Sequence, residues 1–157
     1  MQESSFRLHH IGILVRSIEA ATTLQVARYG YQIESDIILD PVQTARVRFL
    51  RLNEGTHWLE LVSPENEQSK LSNALAKRGE GLHHLCYEVP EIGIACEHLR
   101  QGRQMLLAAP TPAVAFGGRL IAWFMDRAGL LTELIEAGEG PFSLDDILPH
   151  HSREQHS

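Results

Sequence analysis

The sequence predicts an α+β fold in which two tandem βαβββ modules build one curved, mixed sheet. Two observations predict it. The first is a repeat: Leu8-His9-His10-Ile11-Gly12-Ile13-Leu14-Val15 returns as Leu82-His83-His84-Leu85-Cys86-Tyr87-Glu88-Val89, offset by 74 residues. Leu59-Glu60-Leu61-Val62 returns as Thr132-Glu133-Leu134-Ile135, offset by 73. Within each copy the second histidine precedes the glutamate by 50 and 49 residues, so order, offset and internal spacing all agree. Self-similarity of this kind is the signature of a duplicated structural unit. The second observation is that both copies carry the same succession of local signals: a strand, a helix, then three extended runs.

The elements follow in order. Residues 8–15 are β-branched and aliphatic and read as a strand. Ser17 offers an N-cap for a helix over 18–29, with Glu19 in its first turn and Gly30 just past its end. Extended runs at about 32–39, 45–52 and 57–62 complete the first copy, and Asn53-Glu54-Gly55 is a hairpin turn signal between the last two. Ser63 to Gly81 is a linker, in which Leu71, Ala74 and Leu75 give the stretch 69–77 an amphipathic helical pattern. The second copy opens with a strand at 82–89; Pro90 and Glu91 start a helix that Gly102 ends near 101. Runs at about 103–108, 119–125 and 130–136 follow, with Asp126-Arg127-Ala128-Gly129 turning between the last two. The expected organisation is one domain over 1–138, with modules at about 7–63 and 81–138 and a linker helix within about 65–80. Residues 139–157 read as an irregular C-terminal tail, whose His150, His151 and His156 are assigned no part in a site.

Composition narrows the function classes. With 157 residues, 43% hydrophobic and 22% charged, the chain suits one soluble globular domain. A net charge of −6 and no basic stripe argue against a nucleic-acid partner. No apolar run approaches the roughly 20 residues needed to span a bilayer, and the N-terminus lacks a signal-peptide pattern. Cys86 and Cys96 have no CxxC spacing and read as reduced packing residues of a cytoplasmic protein.

The repeated residues also point to a site. Each copy places a histidine on its first strand and a glutamate on its last. Packing the two copies about a pseudo-twofold axis would bring His10, Glu60, His84 and Glu133 together. Side chains alternate along a strand, so His10 shares a face with Gly12 and Leu14, while Ile11, Ile13 and Val15 face the helices. His84, Cys86 and Glu88 repeat that face, which should line a concave, partly wet groove. His9 and His83 are expected to point the other way, as supporting or surface groups. Two imidazoles and two carboxylates form a mixed N/O set suited to one divalent ion, with Co, Mn, Ni, Zn and Mg not distinguished. Too few protein ligands to fill an octahedron leave positions open, the mark of a catalytic metal site. An arginine is the competing partner for either glutamate, and Arg46, Arg48, Arg51 and Arg119 are the candidates.

The HHIGILV and GLHHLCYEV strands, with LELVSP and LTELIEAG, resemble the vicinal oxygen chelate superfamily (glyoxalase, bleomycin resistance and dioxygenase proteins) over about residues 7–138. Within it the likeness is to methylmalonyl-CoA epimerases. It rests on Leu59–Pro64, the linker helix, Gly79-Glu80-Gly81-Leu82-His83-His84, and the Gly117-Gly118-Arg119 loop with its following strand. The resemblance implies a glyoxalase-like fold and the same four metal ligands. Two positions depart from the epimerase pattern. An aromatic pair late in the first helix is replaced by Leu24 and Gln25, and a carboxylate on the third strand, an acid/base partner in some epimerases, by Arg48.

By that resemblance the chain is expected to be a metal-dependent isomerase that shifts a proton alpha to a carbonyl, on a small substrate such as a coenzyme A thioester. Glu133 is the expected base, and Arg48 and Arg119 the expected anchors for a substrate carboxylate or phosphate. The alternatives are a glyoxalase I-like lactoylglutathione lyase and a drug-binding protein of the same fold. Pairing into a homodimer is common in the superfamily.

Overall fold

A computed structural model of the chain describes residues 5–148; the three tail histidines lie outside the described residues. The first unit runs β1 (Arg7–Leu14), α1 (Ile18–Tyr29), β2 (Gln32–Ile33), β3 (Ile38–Asp40), β4 (Ala45–Arg51) and β5 (Trp58–Pro64). After α2 (Lys70–Arg78), the second runs β6 (Gly81–Val89), α3 (Ile92–Gln101), β7 (Met105–Pro112), β8 (Leu120–Met125) and β9 (Leu131–Glu136). All nine strands join one sheet, ordered β2-β4-β5-β1-β6-β9-β8-β7, with β3 also paired to β4. The sheet is curved and unclosed. β1 runs parallel to β5 and β6 parallel to β9, while β1 and β6 meet antiparallel at the centre. The two units are thus mirrored in strand order about a central seam.

The helices start and stop for local reasons. Ser17 caps α1, its hydroxyl accepting from the Ala20 amide at 3.1 Å, and Gly30 ends it with φ 75°, a left-handed conformation that a side chain disfavours. Ser69 caps α2 in the same way, accepting from Leu71 N. The run expected as one strand over 32–39 is broken into β2 and β3. At the break the Ser35 hydroxyl, not a main-chain carbonyl, accepts from Phe49 N at 3.0 Å. A side chain that takes a ladder bond ends regular pairing there.

Strand alternation sorts the apolar residues into two layers. On the convex side Ile11, Ile13 and Val15 pack with Ile18 of α1 and with Leu50, Leu59 and Leu61. Leu134 and Phe124 meet Ile92, Ala95 and Cys96 of α3 in the second unit. The concave side holds Leu14, Val47, Phe49, Trp58, Val62, Cys86, Ile121 and Ile135, sealed by Leu71 and Leu75 of α2. The segment after Gly138 joins this core: Leu144 is 1% exposed, and the Phe142 ring lies 4.3 Å from that of Phe49. The concave face is therefore drier than the sequence pattern suggests.

Phe49 is fully buried among Phe116, Phe142 and the His10 ring. Phe49→Ala should cost about 3–5 kcal/mol in urea unfolding, because the rings around it cannot all collapse into the void. A loss under about 1 kcal/mol would mean that the concave core is not packed as described.

Candidate metal centre

The seam places the histidines. Leu8 faces Tyr87 and His10 faces Cys86, so His9 is an extra residue on β1; Gly12 faces His84 and Ile13 faces Leu82, so His83 is an extra residue on β6. Such bulges re-aim side chains out of strict alternation. The expectation that His9 and His83 point away is therefore corrected: both turn toward the site. His9 is fully buried against His10, Trp58 and Phe116. His83 is half-buried beside His84 and Trp123 and lines the groove.

Four donors converge at the seam. His10 Nε2 lies 3.0 Å from His84 Nε2, 3.2 Å from Glu133 Oε1 and 3.7 Å from Glu60 Oε2. His84 Nε2 lies 3.4 Å from Glu60 Oε1 and 3.9 Å from Glu133 Oε1. Donors about 2.1 Å from a common ion stand about 3.0 Å apart at right angles and about 3.4 Å apart at tetrahedral ones. The five separations share that scale. All four residues come from one chain, and the least buried, Glu60, is 7% exposed.

The two carboxylates have no arginine partner among the described residues. Arg46 pairs with Glu19, Arg51 with Glu34 and Arg119 with Glu88, while Arg48 reaches Thr22. None of the arginines that could have neutralised Glu60 or Glu133 does so. Glu133 Oε1 has no hydrogen-bond partner among the described residues. Burial pushes the Glu133 carboxyl up to about 8. Burial, then the neighbouring Glu133 charge, holds Glu60 well above the usual carboxylate range. Burial pushes His10 down to about 3 and His84 well below its usual range. Neutral imidazoles and unpaired buried carboxylates are the donor set that a divalent ion satisfies. The residues fit such an ion.

Gly12 makes the approach possible. A Cβ at this position would overlap the His84 ring. Glycine inside a strand often marks such a close contact.

Comparison with known proteins agrees with this architecture. The pattern of the Glyoxalase/Bleomycin resistance protein/Dioxygenase superfamily matches residues 9–123. The chain belongs to this superfamily. It is 29% identical over 131 residues to the ethylmalonyl-CoA/methylmalonyl-CoA epimerase of Cereibacter sphaeroides, covering 82% of this chain and 96% of that one. It is 29% identical over 133 residues to human mitochondrial methylmalonyl-CoA epimerase, covering 83% and 74%. A variant of Streptomyces coelicolor methylmalonyl-CoA epimerase in complex with 2-nitronate-propionyl-CoA superposes with a TM-score of 0.76 at 27% identity, covering 86% and 100%.

Within this glyoxalase-fold chain the two arginines expected to anchor substrate lie elsewhere. Arg48 sits on β4 between Val47 and Phe49, which face the core, so its side chain turns to the convex side and approaches Thr22 Oγ1 at 3.4 Å. Arg119 is 9% exposed; its Nη2 donates to Pro141 O at 2.6 Å, and its Nη1 lies 3.7 Å from Glu88 Oε2. The groove over the four donors is lined instead by Asp40, Gln43, Ala45, Val47, His83, Ala113, Phe116 and Trp123, among others. Asp40 is the site residue that sequence reasoning missed. Its Oδ1 accepts from Val42 N and Gln43 N, and its charge adds to the upward shifts of Glu60 and Glu133. Asp40-Pro41 reads only as a turn; nothing local says that the turn folds over the groove.

Gly12→Ala should displace the His84 ring and weaken cobalt(II) binding about 10–100-fold, the scale of losses when a ligand's support is removed. Unchanged affinity in a calorimetric titration would refute the close approach. A second expectation concerns pH. Glu133 has its folded pKa raised, so the folded state holds its proton longer than the unfolded chain, and stability falls as pH rises toward 8. The histidines, lowered by burial, act the opposite way, but only below about 6.5. Between pH 6.5 and 8, chelator-treated protein should lose Tm as pH rises, and Glu133→Gln should flatten that slope. A slope equally steep in the variant would show that Glu133 is not the strained group.

Proposed function

We propose that the protein is a metal-dependent epimerase that removes and returns a proton at the carbon alpha to the carbonyl of a coenzyme A thioester. The observation that carries this reading is the convergence of His10, Glu60, His84 and Glu133 in a buried groove, with a further carboxylate, Asp40, on its wall. The names of the relatives, epimerases of methylmalonyl-CoA and ethylmalonyl-CoA, supply the substrate class.

A divalent ion, which these four residues would hold, would supply a Lewis acid for negative charge on the thioester oxygen. The chain's own groups do the rest. Glu133 takes the alpha proton once its carboxylate has loosened from the ion. Epimerisation then needs a proton delivered to the other face of the flattened carbon, and Asp40 is the carboxylate assigned to that step. The Trp123 and Phe116 rings wall part of the groove with apolar surface. His83 and Gln43 offer polar contacts on the wall to a substrate carboxylate, the role that Arg48 and Arg119 cannot fill from where they sit. The two cysteines are free and buried, which suits a reducing, cytoplasmic setting.

The test is deuterium uptake. With cobalt(II) added in deuterated buffer, methylmalonyl-CoA should gain deuterium at the alpha carbon and racemise there. Glu133→Gln should lower the rate by about 10²–10⁴-fold. Asp40→Asn should slow epimerisation while leaving exchange from one epimer. Turnover of a glutathione hemithioacetal, with no exchange into either acyl-CoA, would replace this reading with that of a lyase.

A further inference from the structure

The concave core contains a chain of hydrogen bonds that leads from the main chain to the proposed metal ligand. His9 Nε2 lies 2.6 Å from the carbonyl oxygen of Phe142. A carbonyl can only accept, so this nitrogen carries the hydrogen. His9 is fully buried, and its ring nitrogens meet only the Phe142 carbonyl and His10, with no carboxylate among the described residues to balance a second ring proton, which leaves its Nδ1 as an acceptor. His9 Nδ1 lies 2.7 Å from His10 Nδ1, so His10 must donate from that nitrogen. The lone pair of His10 then sits on Nε2, which faces His84, Glu60 and Glu133.

The carbonyl at the head of this chain is held in place. Phe142 has φ 60°, a conformation that a non-glycine residue rarely adopts, and its ring lies against Phe49. On one side of it Arg119 Nη2 holds the Pro141 carbonyl at 2.6 Å; on the other the Leu144 amide donates to the buried Glu88 carboxylate at 3.3 Å. Arg7 closes the cluster on Glu88 at 2.6 Å. The second unit has only half of the arrangement. His83 Nδ1 lies 2.8 Å from His84 Nδ1, but His83 is half-buried and its Nε2 meets no carbonyl among the described residues.

We propose that the segment 140–148 is a built-in support of the metal centre: the Phe142 carbonyl, acting through His9, locks His10 in the tautomer that leaves Nε2 free for the cation. This rests on the metal reading of the site. His9 is a positioning residue in this scheme, and Arg119 and Glu88 hold the carbonyl that directs it. A ligating histidine commonly gives its other N–H to a carbonyl or carboxylate, and removal of such a partner lowers metal affinity about 10–100-fold. Here the partner is a second imidazole that passes the constraint on.

Two measurements test it. Nitrogen-15 spectra of histidine-labelled, metal-free wild-type protein report the tautomer directly and need no variant to fold. His10 protonated on Nδ1 is the expected result; protonation on Nε2 overturns the proposal. Cobalt(II) titration then compares wild type, His9→Leu and His9→Gln, whose amide can replace both an acceptor and a donor. The expected pattern is a loss of about 10–100-fold in His9→Leu and substantial recovery in His9→Gln. Equal affinity in wild type and His9→Leu overturns this proposal alone. A wild-type protein that binds no cobalt(II) overturns it together with the metal reading.

Discussion

The pairing of β1 with β6 does more than join two halves of a sheet. Each strand carries a histidine doublet, and each contributes one bulge to the same ladder. The bulges fix which imidazole faces which neighbour: His10 lies opposite Cys86, and Gly12 opposite His84. A slip of one residue along this seam would exchange the concave and convex faces of a strand and send its imidazole under a helix. Slippage is resisted because Ile11 and Ile13 are already committed to the layer beneath α1. The geometry of the donors is thus fixed by ordinary apolar packing on the opposite face of the same strands.

That relation explains which parts of the structure the sequence discloses. The duplication is legible because the strands that carry His10, Glu60, His84 and Glu133 are also its strongest echoes, and the structure brings these four side chains together. The helices are legible because Ser17 and Gly30 bracket one of them with unambiguous chemistry. Strict alternation fails at His9 and His83, since a bulge leaves no mark in composition. Arg48 and Arg119 show a different limit. A guanidinium suits many acceptors, and the acceptor that claims Arg119 is a main-chain carbonyl in a segment with no periodicity at all. Asp40 is hidden for a related reason, because its turn gains meaning only from the fold of β3 onto β4.

Segment 140–148 shows how a stretch without regular structure becomes part of a core. Phe142 and Leu144 fill space beneath the sheet, yet two apolar side chains would not by themselves hold a strained backbone in one place. Glu88 supplies the fixed point. Its carboxylate is fully buried and meets Arg7, Arg119 and the Leu144 amide. A buried charge of this kind is weak evidence for net stability, but leaving it with a partner removed is costly. The arrangement is therefore better understood as specifying one path for the chain than as strengthening the fold.

The same distinction applies to the donors themselves. Two carboxylates placed out of water without arginine partners among the described residues weaken the metal-free fold, and the same burial raises both carboxyls above their usual range. Replacing them with apolar residues would give a more stable sheet and no site. What the strain provides is selectivity of state, because a ligand that binds only the folded chain stabilises it by mass action. A cation held by the four proposed donors would recover that free energy as affinity. A carboxylate relieved by an arginine would not offer a cation that gain, which is why the absence of one beside Glu60 and Glu133 among the described residues is as informative as the presence of the histidines.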